Sequence, residues 1–87
     1  MTRENVLLKH EEKMSRAEVA SILETIASKL REDGTVTIHV GETTQTINPS
    51  DPLTFEIELE EKNGKYELEL ELEWRENESG KQTLSIE

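Results

Sequence analysis

Two different periods run along this chain. Val19, Ile22, Leu23, Ile26, Ala27 and Leu30 recur at steps of three and four, which places them on one stripe of an α-helix. From Val36 onward the apolar residues recur at steps of two, the period of a strand with one face buried. The helix has clear end signals. Ser15 and Glu18 form a capping-box pair, with Met14 and Val19 at the two positions of a hydrophobic staple. Lys29 and Arg31 fall in the last turn, where cations suit the dipole, and Gly34 follows as a stop. The pattern predicts a helix from about Ser15 to Asp33.

The period-two region divides into two hairpins. Val36, Ile38 and Val40 alternate with Thr37 and His39, Gly41-Glu42 suits a two-residue turn, and Thr43 to Asn48 returns. This register sets Val36 opposite Ile47 and His39 opposite Thr44. Asn48-Pro49-Ser50-Asp51-Pro52 reads as a loop, because neither proline can serve a central strand. Leu53, Phe55, Ile57 and Leu59 then alternate with Thr54, Glu56, Glu58 and Glu60. Asn63-Gly64 is a strong hairpin signal, and Tyr66, Leu68, Leu70, Leu72 and Trp74 alternate with glutamates after it.

A two-residue turn at Asn63-Gly64 dictates the pairing. Lys62 meets Lys65, Glu61 meets Tyr66, Leu59 meets Leu68, Ile57 meets Leu70, Phe55 meets Leu72, and Leu53 meets Trp74. The large apolar side chains share one face, and a one-residue slip would turn them to the other. The opposite face then sets Glu56 against Glu71, Glu58 against Glu69 and Glu60 against Glu67, with Glu73 facing Thr54. Seven glutamates share this face, with like charges directly across, an arrangement that repels.

Val6 and Leu8 suggest a first strand before the helix, and Gln82 to Ile86 a last one. The expected fold is α+β: a mostly antiparallel sheet of five to six strands with one amphipathic helix on one face, in the order β-α-β-β-β-β-β. Residues 1–87 are expected to form a single domain. A helix about 28 Å long and about 10 Å across cannot cover a six-stranded sheet roughly 25 Å wide. A homodimer burying Trp74 and its neighbours would solve that mismatch. The last strand is a candidate exposed edge for pairing with a partner.

Charge sharpens the picture. Twenty acids oppose ten bases for a net charge of −10, and eighteen of the acids are glutamates. Residues 1–33 carry a net −1 and residues 34–87 a net −9, so the acidity belongs to the strands. Such a balance disfavours a nucleic-acid surface. The missing cysteine excludes disulfides and thiol chemistry, and two histidines are too few for a His-rich metal cage. No apolar run approaches a membrane span and no leader-like apolar segment follows Met1, so a cytoplasmic location away from membranes is expected.

Catalytic signals are weak. Paired carboxylates arise wherever these strands pair, so their spacing carries no weight for acid–base chemistry. The chain lacks a Gly-x-Ser-x-Gly elbow, a phosphate-cradling loop and a His-Glu-x-x-His pair. His10 and His39 read as surface histidines. Trp74, the only tryptophan, reads as a rim residue beside Leu53, with an interface anchor as the functional alternative. No enzyme activity, cofactor or metal is expected.

Three stretches resemble the amphi-Trp domain family of small acidic prokaryotic proteins, many from halophilic archaea. Val6-Leu7-Leu8-Lys9 leads through Glu11 to Ala20 into the helix, Gly34-Thr35-Val36-Thr37 opens the next strand, and Leu68-Glu69-Leu70-Glu71-Leu72-Glu73-Trp74 supplies the tryptophan. The resemblance covers roughly residues 5–75. It implies one small domain and a salt-adapted origin for the charge, and it implies no particular activity.

The function expected is therefore a non-enzymatic acidic interaction module. It would bind a basic protein through Glu56, Glu58, Glu60, Glu67, Glu69, Glu71, Glu73 and Trp74, or a peptide along a sheet edge. One alternative is a structural, self-associating domain whose acidity serves solubility. Cation binding by the glutamates is a further one.

Overall fold

The computed structural model describes residues 4–76. It contains one helix and four strands: α1 (Arg16–Glu32), β1 (Val36–Val40), β2 (Thr43–Ile47), β3 (Thr54–Lys62) and β4 (Lys65–Glu73). The class is α+β, as expected. The chain divides into two compact units, Met1–Asn48 and Pro49–Glu87.

In the first unit, α1 starts where its cap chemistry directs. The Ser15 backbone is extended, its hydroxyl accepts from the Glu18 N–H at 3.0 Å, and the Ser15 N–H donates to Glu18 Oε1 at 3.1 Å. Two of the helix's orphan donors are thus satisfied reciprocally. At the other end, Gly34 takes the left-handed conformation (φ 74°). The N–H groups of Asp33 and Gly34 both donate to the Lys29 carbonyl, at 2.9 and 3.0 Å. Helix α1 packs against β1. Strands β1 and β2 pair antiparallel with Val36 opposite Ile47 and His39 opposite Thr44. Val36, 5% exposed, is the one buried apolar residue among those described.

In the second unit, β3 and β4 form a nine-residue antiparallel hairpin in the expected register, from Thr54 opposite Glu73 to Lys62 opposite Lys65. Asn63 and Gly64 both have positive φ, 50° and 82°. That is the requirement of a type I′ turn, whose twist matches the strands it joins. The ladder ends at Thr54 and Glu73, so the expected Leu53–Trp74 pair lies just outside it.

Several expectations need correction. The described strands form two separate two-stranded sheets, rather than one sheet of five or six strands. Each hairpin closes on its own tight turn. Between them, Pro49 and Pro52 have no N–H to offer a ladder. The order among the described residues is α-β-β-β-β, because Val6 to Leu8 form no strand. Val6 is 77% exposed and no neighbouring strand pairs with it. A run of three apolar residues also lacks the alternation that seats one face of a strand. The expected last strand at Gln82 to Ile86 lies outside the described residues. The helix stripe is only partly a core face: Ile26 and Leu30 are half-buried, whereas Val19, Ile22 and Leu23 are 43–45% exposed.

Candidate functional site

The chemistry of this chain is concentrated on the β3–β4 hairpin, because strict alternation sorts its side chains into two unlike faces. On one face, Phe55 sits opposite Leu72, Ile57 opposite Leu70 and Leu59 opposite Leu68, with Glu61 and Tyr66 completing the row at the turn. Phe55, Ile57, Leu59, Tyr66, Leu68 and Leu70 are each 44–70% exposed. An apolar row that would normally be a core is open to water.

The other face carries all seven glutamates expected there. Glu56 is opposite Glu71, Glu58 opposite Glu69 and Glu60 opposite Glu67, while Glu73 faces Thr54. All seven are exposed. Their crowding shows in their acidity. The Glu58 carboxyl is held above the ordinary value first by Glu60, one pleat along the strand, and then by Glu69 across it. Glu71 is raised first by Glu56 across the ladder and then by Glu73 on its own strand. Negative charges on both axes of the sheet therefore resist ionisation together. Lys62 and Lys65 stand opposite one another beside the turn and end the row with positive charge. The turn is tied by the Gly64 N–H, which donates to Glu61 Oε2 at 3.0 Å.

Trp74 follows the last residue of β4 and is half-buried. With Thr54, Leu72, Glu73 and Arg75 it lines an open pocket of about 510 Å³. A smaller pocket of about 260 Å³ adjoins it, where Trp74 meets Leu53, Pro52 and Ser50. Trp74 and Leu53 are thus neighbours at the open end of the hairpin, as a rim pair would be. The adjoining loop is held by buried Ser50, whose hydroxyl donates to the Pro52 carbonyl at 2.8 Å. Arg75 went unnoticed in the sequence because it stands beyond the alternating run.

The family model for the Amphi-Trp domain matches residues 1–87, the whole chain. The chain belongs to the Amphi-Trp domain family. No curated protein and no solved structure matches it. In this Amphi-Trp domain, the tryptophan directly follows the last residue of β4.

The two histidines belong to the first unit. His39 Nδ1 is 3.0 Å from the Thr44 hydroxyl across the β1–β2 ladder. His10 stands before the helix, its Nε2 2.8 Å from Glu12 Oε1. It does not end a strand, since that first strand is absent. Among the described residues, no group of three or more His, Cys, Asp or Glu side chains is arranged to hold a metal ion. No helix among them is long and apolar enough to cross a membrane.

Proposed function

We propose that this Amphi-Trp domain is a non-catalytic protein-interaction module whose contact element is the β3–β4 hairpin. The observation that carries this reading is the sorting of the hairpin into an exposed apolar row and a face of seven exposed glutamates. At about 200 Å² for an aromatic side chain and about 100 Å² for an aliphatic one, the six exposed members of the row present roughly 500 Å² of surface. That is the size of the largest apolar patch on an ordinary monomer, about 300–600 Å², which is often functional.

The glutamate face sets the charge of the partner. Mutual repulsion among Glu56, Glu58, Glu69 and Glu71 favours a cationic segment, whose approach relieves it. The segment would be rich in lysine or arginine and extended along the strands over the glutamate face. A lysine-rich peptide carrying a fluorophore tests this. The Glu56/Glu58/Glu69/Glu71→Gln variant should lose binding, whereas Glu4/Glu11/Glu12/Glu24→Gln, with the same net charge, should retain it. Equal weakening in both would reduce the attraction to net charge and refute a specific face.

A second reading has support in the exposure of all seven carboxylates. Fully hydrated glutamates keep an acidic protein dispersed in concentrated salt without contacting anything. Under that reading both glutamine variants bind the peptide alike and differ from the parent only in solubility.

A further inference from the structure

We propose that the apolar face of β3–β4 is closed by the same face of a second copy of this chain, forming a four-stranded sandwich with both glutamate faces outward. This rests on the hairpin being the contact element, and it names what covers the side that the basic segment does not.

Area favours this closure. Each copy offers roughly 500 Å² from its six exposed apolar side chains. Two copies together reach about 1,000 Å², the total that a specific protein–protein interface must clear. Leu72 and Trp74, both half-buried at the open end, add to that surface.

The hairpin is also incomplete by itself. A two-stranded sheet is marginal in water and gains independent stability only when its apolar face is packed. Cross-strand pairs Phe55–Leu72, Ile57–Leu70 and Leu59–Leu68 make that face continuous, with no polar residue between them. A continuous face of this kind can meet itself about a two-fold axis, each residue finding in the partner what the partner finds in it. Two such sheets stack about 10 Å apart with their side chains interdigitated.

Charge decides between geometries. Two chains of net charge −10 repel. Joining them edge to edge would extend the glutamate rows side by side, with strands about 4.8 Å apart. Joining them face to face sends the rows to opposite outer surfaces. They are then separated by more than the ~10 Å between stacked sheets, beyond the ~8 Å screening length of physiological salt. The sandwich satisfies the apolar face without bringing the glutamates together, and it presents two glutamate faces to basic partners.

Sedimentation equilibrium on the full chain tests this. The expected mass is twice the 10.0 kDa of one chain, persisting in low and high salt and falling only on dilution. Ile57→Lys should shift the species to monomer, and Glu58→Lys, on the opposite face, should leave it dimeric. Because Ile57→Lys could unfold the hairpin, isotope-filtered nuclear Overhauser measurements on mixed labelled and unlabelled parent protein supply the independent readout. Cross-chain contacts among the methyl groups of Ile57, Leu59, Leu68 and Leu70 are expected. A parent chain monomeric up to sub-millimolar concentration would overturn the proposal and leave the face to another part of the chain or to a foreign protein. A dimer whose cross-chain contacts come from strand-edge amides or from the glutamate face would overturn it equally. The dimer and the basic-peptide reading fail separately, since the Gln variant that loses the peptide should retain the dimer.

Discussion

Replacing Gly64 by alanine isolates what the turn contributes to both faces of the hairpin. Gly64 has φ 82°, and a Cβ built on it meets no atom within 4 Å. The cost of an L-alanine there is therefore backbone conformation alone, about 1–2 kcal/mol. The hydrogen bond from its N–H to Glu61 survives the change, so no second effect enters. In a domain of this size, each kcal/mol lowers the melting temperature by roughly 4–8 °C. D-alanine has the opposite hand and accepts positive φ without strain. It also restricts the unfolded chain, and should stabilise by about 0.4–1 kcal/mol. An 87-residue chain is within reach of chemical ligation, so both variants can be made. The single tryptophan, just past the end of β4, makes thermal unfolding followed by its fluorescence a report on this hairpin. The L and D variants should melt on opposite sides of the parent, about 2 kcal/mol apart. Coincident melting curves would refute a type I′ turn at Asn63-Gly64 and the register built on it.

Other perturbations address the remaining elements. Ser15→Ala removes the capping acceptor and should cost about 1 kcal/mol, whereas Ser15→Gly should cost only a few tenths, read by helical circular dichroism on heating. Val36→Ala empties the one buried apolar position among the described residues and should cost about 2 kcal/mol, more than the same change at exposed Leu23, measured by denaturant titration. The raised pKa values of Glu58 and Glu71 mean that the folded chain takes up protons before the unfolded one as pH falls. Stability should therefore rise on descending from neutral pH through their folded values. The gain should be complete below the ordinary carboxyl value. Glu58→Gln/Glu71→Gln should flatten that rise, and ~1 M salt, with its ~3 Å screening length, should nearly abolish the difference at neutral pH. Glu18 has the opposite sign. Hydrogen bonding to the Ser15 backbone, then to its hydroxyl, lowers its pKa, so its contribution holds above the ordinary carboxyl value and is lost in stronger acid. Glu18→Gln should remove that acid-side loss from the melting profile.

What the amino-acid pattern revealed and what it concealed divide along a physical line. Ser15 with Glu18, Asn63 with Gly64, and Gly34 after the last helical turn act within a few residues of themselves, and each appears where the pattern placed it. The hairpin registers were legible for the same reason. A two-residue turn fixes every pair that follows, and that brought the seven glutamates to one face. Sheet assembly was not legible. Whether Val6 to Leu8 extends into a strand depends on a neighbour to share hydrogen bonds, and no nearby residue encodes one. The joining of the two hairpins into one sheet was an assumption drawn from their common period, and the loop with Pro49 and Pro52 falls between them. The stripe from Val19 to Leu30 correctly marked a helix. Its depth of burial depends on what packs there, which periodicity does not specify. Arg75 beside Trp74 was missed because it belongs to neither alternating face.

The near-repetition of glutamate and leucine in β4 has one further consequence. A slip by one residue exchanges the faces, but a slip by two restores them, with apolar side chains again opposite apolar ones and glutamate opposite glutamate. Inserting one Glu-Leu pair into β4 and a matching pair into β3 would lengthen the hairpin by about 7 Å and leave both surfaces chemically unchanged. The hairpin is in that sense a ruler marked in dipeptides. Its span could change in such steps without redesigning the turn or either face.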